Sequence, residues 1–210
     1  MASAGLQAKP DFTKLGFFTL LALAILGVIW VDERFLVIRS DPEWTHIKAF
    51  QWLLLPHGLA GTVALFSGPL QFSDRLRAAR PAFHRATGWV YIVAVSITAV
   101  MGSYIGTHFG PPTIVVEEYF HGGLVLLSTA MALISILNKN IAAHKIWMMR
   151  SYAVSLIFIW GRLPDLVHYQ MSPQILADVL WSGDVIGVLL PDFILTVRDL
   201  SRRMGRRARA

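Results

Sequence analysis

Residues 83–106 read FHRATGWVYIVAVSITAVMGSYIG, with one histidine and one arginine at the head of an otherwise uncharged run. About 20 apolar residues cross the hydrocarbon core of a bilayer as a helix. Lipid offers the backbone no hydrogen-bond partners, so a single chain that enters it closes its own amide bonds within each segment. This stretch therefore reads as a membrane helix that carries a histidine at one end.

Five further apolar stretches frame it, so that the spans run over Leu15–Val31, Ala49–Phe72, Phe83–Gly106, Tyr119–Leu137, Ile146–Leu163 and Leu176–Val197. The expected fold is an all-α polytopic bundle of six transmembrane helices, with helices two to five as its core. Residues 1–210 then form one integral membrane domain that ends in a basic tail, 198–210. Connections as short as Asn138–Lys145 make successive helices antiparallel neighbours. The composition agrees: 55% of residues are hydrophobic and 15% charged, with mean hydropathy +0.54, whereas soluble domains carry about 25% charged residues. The first stretch is too long for the apolar region of a secretory signal, and Asp32, Glu33 and Arg34 follow it in place of a cleavage site. It reads as an uncleaved first helix.

The net charge of +6 is segregated. Lys9 and Lys14, then Arg75, Arg77 and Arg80, then Lys139 and Lys145, then the arginine-rich tail alternate with loops that hold Asp32, Glu33, Asp41 and Glu43, Glu117 and Glu118, and Asp165 and Asp178. Basic loops stay on the cytoplasmic side. The expectation is a multi-pass protein of the inner, cytoplasmic membrane with both termini cytoplasmic. Beside apolar spans such arginines mark topology and meet anionic lipid rather than nucleic acid. No cysteine is present, which excludes disulfides, thiolate metal sites and iron–sulfur clusters.

Histidine inside a membrane is costly unless it has a partner. Four of the seven, His57, His84, His121 and His144, lie on successive predicted helices at alternating ends. Up-and-down topology puts His57 with His121 on the outer side and His84 with His144 on the cytoplasmic side. Two facing imidazoles on one level can hold haem iron from both sides, so the expected cofactor is haem b, one or two per chain, with these four as iron ligands. Residues four and seven along share a helix face: Gly61 follows His57, and Gly88 and Tyr91 follow His84, leaving room for a flat macrocycle. Arg85, Arg150 and Arg162 are the candidates to pair with haem carboxylates, because guanidinium binds carboxylate with two parallel hydrogen bonds. Close helix packing, which also selects glycine, and snorkelling arginine give each feature a bland explanation as well. Asp184 is expected to pair with Arg162, or otherwise to line a cavity and relay protons. His46, His108 and His168 read as surface residues.

The strings His84-Arg85-Ala86-Thr87-Gly88-Trp89-Val90-Tyr91 and His144-Lys145-Ile146-Trp147-Met148-Met149-Arg150-Ser151-Tyr152, with Pro56-His57-Gly58 and Ser67-Gly68-Pro69-Leu70-Gln71-Phe72, resemble the bacterial membrane proteins of domain-of-unknown-function family 2306 over about Leu54 to Arg162. That family implies no activity. The order of the histidines is similar to that of transmembrane di-haem cytochromes of the b-561 type. That resemblance implies electron transfer across the membrane, a transmembrane oxidoreductase fed by quinol or another small reductant and relieved by a redox partner. Two other readings stand beside it. One is a transporter or lipid- or quinone-binding bundle without catalysis; the other is a membrane metallohydrolase, with His57 and His121 joined by His108 or His168. A homo-oligomer fits any of them.

Overall fold

The computed structural model describes residues 12–32, 34, 38, 40 and 43–207. Its long helices are α1 (Phe12–Asp32), α3 (Gln51–Gln71), α5 (Pro81–Phe109), α6 (Val115–Leu137), α7 (Ile141–Ser155) and α9 (Pro173–Arg207), with short α2 (Glu43–Ile47), α4 (Asp74–Ala79) and α8 (Ile157–Arg162) between them. Two 3₁₀ turns, Pro112–Ile114 and Leu163–Val167, lead into α6 and out of α8. Lys9 and the acidic residues Glu33 and Asp41 of the expected loops lie outside the described residues.

Four segments are long and apolar enough to cross a membrane: Gln51–Gln71, Pro81–Phe109, Pro112–Leu137 and Pro173–Ser201. The first apolar stretch survives as the shorter run Gly16–Val31 within α1. The expected fifth span, Ile146–Leu163, is not one helix but two. At Leu156 the amide is shared between the carbonyls of Tyr152 at 3.2 Å and Ala153 at 3.3 Å. The Ser155 hydroxyl donates to the same Tyr152 carbonyl at 2.8 Å. Side-chain competition for a helix carbonyl bends helices, and here it separates α7 from α8. The expected boundary between a sixth span and a separate basic tail also dissolves. The 35 residues of α9 run on to Arg207, and Arg203 steadies the extension through Asp199 one turn away at 2.8 Å.

Local chemistry sets the helix ends. Ser73 caps α4 by accepting the Leu76 amide at 3.1 Å, and Pro81 opens α5, where its missing N–H is not needed. Asn140 caps α7 by accepting the Ala143 amide at 3.1 Å. Lys139 turns the chain there with a left-handed φ of 60°. Large apolar side chains such as Leu20, Leu59, Leu127 and Phe193 are more than half exposed on the outer surface of the bundle. Water would not tolerate so continuous an apolar face, and lipid does.

The core holds Tyr91, Val95, Ala99, Val125, Ala132, Tyr152 and Val154 among its buried members. Its two tyrosines are tied down. The Tyr91 hydroxyl meets Ser151 Oγ at 2.8 Å, and Ser151 meets Thr129 Oγ1 at 2.8 Å. The Tyr152 hydroxyl donates to the Leu65 carbonyl at 3.0 Å. That carbonyl lies four residues before Pro69, which has no N–H to offer it, so α7 supplies the hydrogen bond that α3 cannot make. Tyr152→Phe should therefore orphan a buried carbonyl and cost about 1–3 kcal/mol, read as a lower thermal midpoint in detergent. An unchanged midpoint would show that the carbonyl finds another donor.

Candidate functional site

The two ends of the bundle differ in charge: residues 73–82 and 138–145 cluster lysine and arginine at one end, while the acidic residues 117, 118 and 165 lie toward the other. In the half nearer the acidic end, a cavity of about 450 Å³ opens between α3, α5, α6, α8 and α9. Ligand pockets typically enclose about 300–1,000 Å³. Apolar residues such as Leu54, Phe109, Val125 and Leu180 form most of its wall, and its polar groups include His57, Glu117, Glu118, His121 and Arg162.

Helix packing puts His57 and His121 on one level. A Cβ at Gly102 of α5 would lie 2.8 Å from the His57 ring, so α5 passes close against that imidazole because residue 102 has no side chain. On its other flank α5 presents Ser103 and the Ala99 carbonyl to Gly122, the neighbour of His121. Each ring is held by its Nδ1. The His57 Nδ1–H donates to the Thr98 carbonyl at 3.1 Å, and the His121 Nδ1–H donates to Asp184 Oδ1 at 2.9 Å. A neutral imidazole with its proton on Nδ1 keeps a lone pair on Nε2. Histidines that ligate metals are oriented in this way, by a carbonyl or carboxylate behind the other nitrogen.

The remaining expectations meet the structure unevenly. Asp184 pairs with His121, not with Arg162. Arg162 lines the cavity and stacks over the Phe158 ring at 5.6 Å. Gly61 lines the cavity too, against the Thr98 methyl at 3.6 Å. Of the pair expected on the cytoplasmic side, neither His84 nor His144 lines the cavity. His144 donates through Nδ1 to the Ala132 carbonyl at 2.9 Å, and His84 Nδ1 is buried without a partner. Two turns beyond them, Tyr91 and Ser151 bridge α5 to α7, so Tyr91 is a core residue and lines no open space. The space beside Gly88 is taken by Gln71, whose Oε1 would stand 3.2 Å from a Cβ there. Gln71 is fixed by donating to Thr87 Oγ1 at 2.9 Å.

Arg85 is exposed. Arg150 is committed to Asp192 on α9 at 2.6 Å and lies over the Trp147 ring at 4.5 Å, so it locks α7 to α9. His108 is exposed and stacked on Tyr104 with ring centroids 4.0 Å apart. His168 holds a left-handed φ of 55° at the end of a 3₁₀ turn. Neither joins His57 and His121 in the cavity wall, and the side chain of His46 lies outside the described residues.

Glu117, expected in an acidic loop, joins His57 and His121 in the cavity wall. The structure puts it in the first turn of α6 at 1% exposure. The signal was present as Glu117-x-x-x-His121, a spacing that puts both side chains on one helix face.

An apolar helical bundle with a mostly apolar, histidine-bearing cavity in one half defines the class: an integral membrane protein with an internal cavity. The chain belongs to the family of predicted membrane proteins known as DUF2306, whose model matches residues 54–195. That match reaches beyond the resembling stretch to take in α9 as far as Leu195, with Asp184. No curated protein and no solved structure matches the chain.

Proposed function

We propose that this protein carries one haem b in the cavity, with His57 and His121 as axial iron ligands, and serves electron transfer in the membrane. The observation that carries the reading is that two imidazoles from different helices line one cavity on one level, each with Nδ1 already engaged. A haem ligated by two histidines supplies one-electron redox chemistry. The chain's part is to hold and surround it. Thr98 and Asp184 fix the two rings, Gly102 lets α5 pass close against the His57 ring, and Arg162 offers a cation to a carboxylate. His84 and His144 lie outside the cavity, with the Tyr91–Ser151 bridge beyond them, so the reading takes one haem rather than two.

In the same reading α1 and the broken pair α7–α8 cross the membrane with the four longer segments, giving six passes. The basic loops then put both termini in the cytoplasm of an inner membrane, and the cavity lies in the outer leaflet. A quinol or another small reductant donates the electron, and a redox partner takes it up. The test is an absorption spectrum of protein purified from haem-supplied cells. A Soret band that shifts on dithionite, with sharp α and β bands, is the expected result. Colourless protein from such cells overturns the reading.

A further inference from the structure

Beside His121 stand two buried carboxyl groups, and the haem reading uses only one oxygen of Asp184 and none of Glu117. Glu117 is 1% exposed and Asp184 0%, and Glu117 Oε1 and Asp184 Oδ2 are both buried with no hydrogen-bond partner. The two carboxylates come from different helices, α6 and α9, and meet around His121 with one ligand atom of each of the three residues within 4.8 Å of the others. Asp184 Oδ1 is occupied by the His121 Nδ1–H. Among the described residues no lysine or arginine forms an ion pair with either carboxylate. Glu118 adds a further carboxylate to the same cavity wall.

Burying an ionised carboxylate is costly unless it is paired or coordinates a metal, and a second one beside it adds repulsion. An imidazole that donates one hydrogen bond answers one of the four oxygens and leaves Glu117 Oε1 and Asp184 Oδ2 without a partner. We propose that Glu117 and Asp184 bind a divalent cation of the hard, oxygen-preferring class, such as Ca²⁺, Mg²⁺ or Mn²⁺. Carboxylate oxygens select that class over the thiophilic metals. Such ions keep waters on the positions the protein leaves open, and the adjoining cavity has room for them. His121 walls the site and keeps its Nδ1–H on Asp184. Its Nε2 stays available to the cavity, so this site goes beyond the haem reading and does not depend on it.

The test uses the full chain purified in detergent and stripped with a chelator, titrated with Mn²⁺ while free Mn²⁺ is followed by electron paramagnetic resonance. One saturable Mn²⁺ per chain, displaced by Ca²⁺ or Mg²⁺, is expected. Glu117→Gln and Asp184→Asn should each weaken it by at least about tenfold, the loss that even outer-shell partners of a metal give. Asp178→Asn, which changes an exposed carboxylate of α9 outside the cavity, should bind as the wild type does. Should the carboxylate variants fail to fold, the wild type alone decides the matter, since a cation that binds only the folded state raises its thermal midpoint with concentration. No saturable Mn²⁺ or Ca²⁺ binding and no rise in midpoint would overturn the proposal, as would full binding in both carboxylate variants. Binding of Zn²⁺ alone, lost with His121→Asn, would overturn the oxygen-ligated class. Haem content does not enter the measurement, so a colourless protein leaves it intact.

Discussion

His57→Ala and His121→Ala should each yield protein without the Soret band of the wild type, whereas His84→Ala and His144→Ala should keep it. The contrast follows from position. His57 and His121 are the two imidazoles that line the cavity, backed by Thr98 and Asp184. His84 and His144 lie outside it, and His144 is spent on the Ala132 carbonyl. In the haem reading both imidazoles would hold the iron, so the loss of either side chain should remove the wild-type spectrum. Haem lost from His84→Ala and retained in His57→Ala would sink it. Replacing Asp184 by Asn should keep the His121 orientation but weaken the basicity that a carboxylate lends its partner imidazole. A carboxylate behind the ring favours the oxidised iron, so the midpoint potential of Asp184→Asn should rise above that of the wild type.

Gly68→Ala should be a strongly destabilising single-methyl change. A Cβ at that position would overlap Cδ2 and Cε2 of Tyr152 and stand 3.3 Å from the Tyr91 ring. Neither ring can step aside. Tyr152 is held at both ends, its hydroxyl by the Leu65 carbonyl and its ring by Phe72, with centroids 5.7 Å apart. Tyr91 is fully buried and bonded to Ser151 at 2.8 Å. Overpacking a filled core costs about 1–3 kcal/mol and at times more, and here it also threatens the bond that compensates Pro69. A loss near the upper figure, read as a lower midpoint of unfolding in detergent, is expected. Gly123→Ala is the matched control, because nothing lies within 4 Å of a Cβ there, and it should leave the midpoint unchanged. Equal effects of the two substitutions would mean that α3 and α7 do not pack as described.

The apolar segments were legible because hydropathy is a local property of the chain. The spans read at 49–72, 83–106 and 119–137 fall on Gln51–Gln71, Pro81–Phe109 and Val115–Leu137. The break at Leu156 was not legible, because it arises from a serine hydroxyl competing for one carbonyl inside an unbroken apolar run. The length of α9 was hidden for the opposite reason, since arginines end a membrane span without ending a helix.

An expected depth for each histidine followed from the sequence, through segment direction and distance from a segment end. Which of them share a cavity did not. That depends on how each helix is rotated about its axis, and rotation is set by contacts such as Gly102 against His57 and Gly122 against Ser103. Charge partners were misassigned for the same reason: Asp184 turned to His121 and left Arg162 to the cavity, and Arg150 turned to Asp192. The sequence by itself determined that this chain is an apolar helical bundle, with its basic loops segregated and a histidine near one end of each central segment. Only the tertiary structure decided that one pair of histidines lines a cavity and that two buried carboxylates, one of them bonded to His121, stand beside it, because partners on different helices are chosen by packing, and packing is written in no local stretch of the chain.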